Sequence, residues 1–600
     1  MLFGKYVNKF YIKYGIFFLL GIIALVAVDY VQLLLPEFLG QMVDLLSDPA
    51  GGVIDYEAIG RIALYVVFVA LGLFVGRIVW RVTIFFASSN IQASLRHQMF
   101  LKAEKLSLNY YHQNKVGNIM AWFTTDIEEV EDYFGWGTIM LVDAFFMTAL
   151  ALVKMFLKDI PLTLIALIPM LLIVVWGFLV EKFMAMKWES RQKAYDRLYD
   201  FSQENFTGIR VIKAFVKQTQ ELHAFAKVAK KSKDANLSFV RLSVLFDVSI
   251  EIIIVVVLSI LIGFGGWFVY SSVTNNPVVI FNHTVNLGAG DLVTFLGYFE
   301  SLIWPMIALG QIVSMHSRAK TSLKRISNFL DQEEDVKDGP DAKDLIDVKG
   351  HIEFKDFSFV YPDSGKLYLK NISLEIKAGE KIGIVGKIGS GKTTLANSLL
   401  RFYNVEPGSI FIDGQDIMSA TLRSVRKAMA YVPQDNFLFS DTIKNNITFS
   451  DENDQGDRYI EAAQFSDVHN DISSFKNSYD TVSGERGVTL SGGQKQRISI
   501  ARAFYTGAPI LIFDDSVSAV DVKTEETILH NIQAQREGKT TIVVASRVST
   551  VAHMDRIIVL NDGQLEAFDT PENLYKISPT YKSMVDLQKL EEEVKGGKEA

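Results

Sequence analysis

The 600-residue sequence contains no cysteine, so disulfides, thiolate metal sites and cysteine nucleophiles are all excluded. That absence is compatible with any compartment. An excess of basic charge is also missing: the net charge of -8 gives no reason to expect a nucleic-acid partner. A cleavable signal peptide needs a short apolar core and a small-residue cleavage site. The N-terminal MLFGKYVNKFYIKYG instead leads into a longer apolar run, which is expected to stay as a membrane helix. No internal repeat is visible, and Pro is scarce in the charged stretches 88–135 and 183–240.

What the sequence does have is apolar bulk, concentrated in its first half. Six segments, near 15–46, 59–87, 136–157, 162–182, 243–270 and 291–313, are long and apolar enough to span a bilayer. Asp48, Asp55 and Glu57 follow the first span with no Lys or Arg before Arg61, whereas residues 182–241 hold 13 Lys or Arg against 6 Asp or Glu. The positive-inside rule places the basic stretch and both termini in the cytoplasm. It places the acidic loop, the turn around Lys158 and Pro161, and the loop 271–290 outside. Stretches 88–135 and 183–240 read as membrane helices continuing into the cytoplasm as rods; ordinary amphipathic loops are the alternative. The acidic DQEEDVKDGPDAKDL marks a domain boundary, and the tail LQKLEEEVKGGKEA is expected to fray.

The second half carries nucleotide chemistry. KIGIVGKIGSGKTTLANSLL is a strand, a glycine loop and a helix start. Gly386, Lys387, Gly389, Ser390, Gly391, Lys392, Thr393 and Thr394 supply a phosphate-binding loop. Its glycines let backbone N–H groups turn toward phosphate oxygens, and the helix N-terminus adds partial positive charge. Lys392 is expected on the terminal phosphates and Thr393 on Mg2+. About 120 residues on, ILIFDD gives an apolar strand ending in Asp514, a second expected Mg2+ group. The implied ligands are ATP and Mg2+.

LSGGQKQR (Leu490 to Arg497), the phosphate loop and YVPQDNFLF around Gln434 together resemble an ATP-binding-cassette exporter half-transporter. The resemblance covers nearly the whole chain. It implies an all-α six-helix membrane domain with long intracellular helical extensions, fused to an α/β P-loop nucleotide-binding domain. The expected boundaries are 1–325, a linker over 326–345, the nucleotide-binding domain over 346–585 and a charged tail over 586–600. By the same resemblance Ser491, Gly492, Gly493 and Gln494 face ATP held by another nucleotide domain. Tyr361 stacks on adenine (or is a plain strand-end tyrosine), and Gln434 touches Mg2+ and senses the membrane domain (or is a plain loop glutamine). LRHQMFLKAEKLSLNYYHQNKVGNIM resembles the first intracellular loop, with a coupling turn near Leu108 to Gly117, and ENFTGIRVIKAF resembles the second. TVSGERG (Thr481 to Gly487) resembles the loop that meets the rods, and SAVD, ending at Asp521, the loop across the nucleotide-domain interface.

The pattern breaks at two positions. Asp515 stands where the family's catalytic base is glutamate, and Ser546 stands where a histidine contacts the terminal phosphate. An aspartate carboxylate stops about an ångström short, and a displacement of that size can cost roughly 100-fold. A hydroxyl lacks the reach and charge of an imidazole. His553 is read as a plain surface histidine. Two breaks in one site, beside an intact LSGGQ, resemble the degenerate half of a bacterial heterodimeric multidrug exporter. The implied partner is a different half-transporter with the catalytic Glu and switch His, and the implied location is the bacterial plasma membrane.

Among residues within or beside the spans, Asp29, Asp143, Glu300 and Trp304 are candidate substrate contacts, because buried membrane carboxylates face cavities and suit cations. Trp267, Phe295, Tyr298 and Phe299 are further aromatic candidates, with interfacial anchoring as the alternative. Asp247 and Glu251 are expected nearer the cytoplasmic edge. Export of drugs, export of a lipid or lipid-linked metabolite, and a regulator that moves no substrate remain open; intact coupling segments weigh against the last. An importer is disfavoured by the fused domains. A peptide exporter with a protease domain is disfavoured by the N-terminus and the lack of cysteine.

Overall fold

The computed structural model describes residues 4–47, 54–274, 278–280, 283–451, 456–484, 487, 489–517 and 520–596. It divides into two compact units, Met1–Ala103 with Gly117–Asp331, and Glu104–Val116 with Gln332–Ala600. Of the expected motifs, Asp48, Glu485 and Arg486 of TVSGERG, and Ser518 and Ala519 of SAVD lie outside the described residues.

The first unit is helical. α1 (Gly15–Gln32) and α2 (Leu34–Ser47) meet at Leu33 and form one long apolar stretch. α3 (Tyr56–Lys105) has 50 residues, or about 75 Å at the α-helical rise, far more than the hydrocarbon core needs. The short α4 (Leu108–Gln113) belongs to the second unit. α5 covers Val116–Lys158, α6 Ile160–Thr207, α7 Ile209–Ala214, α8 Gln218–Val273 and α9 Ala289–Leu330. Among the described residues, α1–α2, α3, α5, α8 and α9 are long and apolar enough to cross a membrane. The 48-residue α6 starts with a shorter apolar portion, Ile160–Leu172. The charged stretches read as rods are therefore continuous, in α3, α5 and α8, with membrane-length helices.

α2 and α9 approach closely because both carry glycine at the crossing. A Cβ on Gly40 would stand 2.3 Å from the Gly290 carbonyl oxygen and 2.0 Å from Thr294 Oγ1. Phe295, Tyr298 and Phe299 of α9 are buried in the core with Leu33, Leu162 and Phe268. These three aromatics are packing residues, since their spacing places them on the covered face of α9. Trp267 is half exposed. α5 is interrupted by three π turns, Trp122–Asp126, Tyr133–Gly137 and Asp143–Met147, a feature that sequence periodicity does not register.

α9 runs to Leu330, past the residue-325 boundary expected for the linker. Ala319, Leu323, Ile326 and Leu330 recur every three to four residues and are buried. Arg325 Nε donates to Asp126 Oδ2 at 2.7 Å and Ser322 Oγ to Asp126 Oδ1 at 3.0 Å, fixing this last part of the helix to α5.

In the second unit, β1 (Ile352–Val360), β2 (Leu367–Ile376), β4 (Ile410–Ile412) and β5 (Gln415–Asp416) form an antiparallel sheet in the order β2-β1-β4-β5. β3 (Lys381–Gly386), β6 (Met429–Val432), β7 (Ile510–Asp514), β8 (Thr540–Val544), β9 (Arg556–Asn561) and β10 (Gln564–Asp569) form a sheet ordered β10-β9-β3-β8-β7-β6. It is parallel except for β9–β10. β7 and β8 are buried along their whole length, as expected of strands covered on both faces. The helices that matter below are α10 (Lys392–Leu399), α11 (Gly492–Tyr505), α12 (Val522–Gln535), α13 (Val548–Val551) and α14 (Pro579–Gly596). α14 takes up much of the tail expected to fray. Gln588 on it accepts hydrogen bonds from the backbone N–H groups of Val548 and Ser549, at 3.0 and 3.1 Å.

Candidate nucleotide site

Parallel pairing brings the ends of three strands to one edge. Val544 lies opposite both Asp514 and Ile384 in register, so the residues just beyond β3, β7 and β8 are neighbours. The phosphate loop follows β3. Gly391, at φ +98°, starts α10 in a backbone conformation that a side chain would strain, and an added Cβ would meet Leu369 at 2.5 Å. Lys392 folds over the loop, its Nζ donating to the carbonyls of Gly386 (2.9 Å) and Lys387 (3.2 Å). Burial holds its ammonium below the ordinary lysine range, partly offset by the carboxylates of Asp515 and Asp514.

Asp514 is almost fully buried and is held on both oxygens. Thr393 Oγ1 donates to Oδ1 at 3.0 Å and Tyr431 OH to Oδ2 at 3.0 Å. Burial pushes the Asp514 carboxyl up, and these two hydrogen bonds oppose the shift. Tyr431 lies within the YVPQ string, yet its role follows from the pairing of β6 with β7, which the sequence pattern leaves unspecified.

A hydroxyl and a carboxylate in contact are the hard-oxygen set that suits Mg2+, and Thr393 and Asp514 would hold it. Ser390 Oγ is buried without a hydrogen-bond partner in the loop itself, as a group awaiting a phosphate oxygen would be. Gln434 stands exposed in the loop after β6 and makes no hydrogen bond to Asp514 or Thr393.

The two departures meet each other. Asp515 has φ +48°, and its N–H donates to the Val544 carbonyl at 2.9 Å. One carboxylate oxygen, Oδ1, accepts from both the Ser546 N–H (3.2 Å) and the Ser546 hydroxyl (3.1 Å). Ser546 is exposed, as is His553.

Tyr361 is half-buried. The rings of Phe359, Tyr368 and Tyr403 stand nearly perpendicular to it, at 4.9, 4.9 and 5.2 Å. Its hydroxyl is 3.0 Å from Thr394 Oγ1.

At α11, Ser491 caps the helix. Its hydroxyl accepts from Gln494 N at 3.2 Å, and Gln494 Oε1 accepts from Ser491 N at 3.1 Å, a reciprocal box. A Cβ on Gly492 or Gly493 would meet nothing within 4 Å, so this helix start is open to an external ligand. No hydrogen bond among the described residues joins it to the phosphate loop of the same chain.

In the first unit, Asp29 and Asp143 are close enough to interact electrostatically. Asp29 Oδ2 and Asp143 Oδ1 are buried without hydrogen-bond partners, and Trp304 Nε1 donates to Asp143 Oδ2 at 3.2 Å. Three of the four candidate substrate residues therefore come together. Glu300 is exposed elsewhere on α9, and Asp247 and Glu251 are also exposed.

These features define a chain in which membrane-length helices are fused to a phosphate-loop nucleotide domain that carries a second, open glycine-bearing helix start. The family described as "ABC transporter transmembrane region" matches residues 18–306, and "ABC transporter" matches residues 369–518. The chain is 32% identical, over 99% of each chain, to "Probable multidrug resistance ABC transporter ATP-binding/permease protein YheI" of Bacillus subtilis (strain 168). It is 33% identical to "Multidrug resistance-like ATP-binding protein MdlA" of Escherichia coli (strain K12), over 95% of this chain and 94% of that one. A solved structure, "Structure of a bacterial Atm1-family ABC exporter with ATP bound", has the same fold, with TM-score 0.75 at 24% identity over 97% of this chain and 98% of the other. The chain belongs to the ABC transporter family: a multi-pass transmembrane region fused to an ATP-binding domain.

Proposed function

We propose that the chain exports amphipathic drugs or other hydrophobic compounds across the bacterial plasma membrane, with both termini cytoplasmic, as one half of a heterodimer. In this reading its own site binds ATP and cuts it slowly. Its Ser491, Gly492, Gly493 and Gln494 complete the ATP site of a different half-transporter that carries a catalytic Glu and a switch His.

The observation that carries the proposal is the Asp515–Ser546 contact. The shortened carboxylate has one oxygen committed to two hydrogen bonds from the residue at the switch position. A base must reach the proton it removes, and a shorter carboxylate with an oxygen held by the residue at the switch position is poorly placed to do so. The holding groups, by contrast, are complete. Lys392 and the loop would take the phosphates, Tyr361 the adenine, and Thr393 and Asp514 the Mg2+ site, which Gln434, exposed in the loop after β6, would reach only by moving toward it. Bound Mg2+ supplies charge neutralisation on the phosphates. The names of the relatives support a drug-like cargo, and Asp29, Asp143 and Trp304 offer it two carboxylate oxygens and an indole in one place; Glu300 is a more remote candidate.

The test is a mixing experiment. The chain alone should show little ATPase, and adding a half-transporter with the intact Glu and His should produce drug-stimulated hydrolysis. Ser491→Ala in this chain should then suppress hydrolysis at the partner's site. Rapid ATPase from the chain alone contradicts the reading.

A further inference from the structure

Tyr403 and Asn404 lie just beyond α10; the Tyr403 side chain contacts one end of α4, and Asn404 is linked to the other end through Asp335. Tyr403 is 4% exposed, and its hydroxyl is 3.2 Å from Nδ1 of His112 in the last turn of α4. Asn404 Nδ2 donates to the Asp335 carbonyl at 2.5 Å, and Asp335 Oδ2 accepts from Ser107 Oγ, at the N-cap of α4, at 3.1 Å. The segment beneath is anchored by a buried arginine. Arg401, fully buried at φ +47°, donates to the carbonyls of Ile417 (2.9 Å) and Ala420 (2.8 Å). Burial pushes the Tyr403 phenol up to about 12, so the hydroxyl stays neutral at physiological pH.

The other side of Tyr403 faces the nucleotide site. Its ring stands perpendicular to Tyr361 at 5.2 Å, and Tyr361 in turn bonds Thr394, beside Thr393. Direct contacts therefore run Thr394–Tyr361–Tyr403–His112, from the phosphate-loop helix to α4. Three perpendicular rings crowd Tyr361. A planar base laid on it must share their space, and close-packed rings transmit such a displacement instead of absorbing it.

We infer that Tyr403 is a positioning residue that reports the nucleobase, as distinct from the phosphates, to α4 through His112. The inference rests on the reading that Tyr361 takes the adenine. It makes base occupancy the signal and the Tyr403–His112 hydrogen bond the link that carries it.

Hydrogen exchange on the full chain in lipid nanodiscs tests this, with Mg–ATP compared to Mg–ribose 5′-triphosphate, which has the phosphates without the base. ATP should slow amide exchange over residues 105–117, and the ribose triphosphate should not. Tyr403→Phe keeps the ring and removes the link. It should shrink the ATP effect about fivefold, the worth of one neutral hydrogen bond, while ATP affinity holds within about twofold. His112→Ala, on the exposed side of the same bond, should do likewise and guards against a folding defect in the buried variant. An undiminished ATP effect in His112→Ala, or an equal effect from the ribose triphosphate, overturns the inference. Tyr361→Leu separates the two claims: it should weaken ATP and leave ribose triphosphate binding unchanged. Equal weakening or none refutes the adenine reading itself, whatever Tyr403 does.

Discussion

The holding edge and the cutting edge of the nucleotide site sit at the ends of adjacent strands, and they are built differently. At the holding edge, Asp514 is buried and bonded on both oxygens, by Thr393 and Tyr431, and Lys392 lies over the loop. At the cutting edge, Asp515 is half-buried and turns one oxygen to an exposed serine. The sheet supplies both edges with the same precision, so the difference lies in side-chain length and chemistry. On the proposed reading, the binding site stays whole while turnover is lost through two residues.

The predictions that press on this contrast run from large to small. Lys392→Ala should weaken ATP binding by about 100-fold, since a charge-assisted contact to phosphate is lost from a partly buried site; equilibrium binding of a fluorescent ATP analogue measures it. Tyr431→Phe leaves Asp514 Oδ2 without its donor and should weaken Mg2+-dependent ATP binding about tenfold, read by titrating Mg2+ at fixed nucleotide. The pH dependence has a definite sign. Burial raises the Asp514 carboxyl, so protons compete with Mg2+ already above the ordinary carboxylate range. Mg2+-dependent binding should fall as pH drops, and Tyr431→Phe should move that loss to higher pH; a midpoint at or below the ordinary value counts against a buried holding edge. Ser546→Ala removes one of the two hydrogen bonds that Ser546 gives Asp515 and keeps the backbone one. It should change hydrolysis by no more than about fivefold and leave ATP affinity unchanged.

Much of this was legible in the residues alone. Long apolar runs, the glycine loop, the strand ending at Asp514 and the LSGGQ string each carry a local signal strong enough to place an element and a chemistry. What stayed hidden depends on pairing and packing. Tyr431 reaches Asp514 because β6 lies beside β7, and Asp515 meets Ser546 because β7 and β8 are in parallel register. Phe295, Tyr298 and Phe299 looked like substrate contacts, because an aromatic in a membrane helix reads the same whether it faces a cavity or a core. The continuation of α9 to Leu330 was masked by the charges between its buried positions, and the π turns of α5 leave no mark in composition.

The measurement that tests the cutting edge most directly is single-turnover ATP hydrolysis by the full chain carrying Asp515→Glu together with Ser546→His, against the unaltered chain at equal ATP occupancy. Restored reach and an imidazole-bearing switch should raise the rate by about 100-fold with ATP affinity unchanged. An unaltered chain that already hydrolyses ATP at the rate of the double variant would contradict the account.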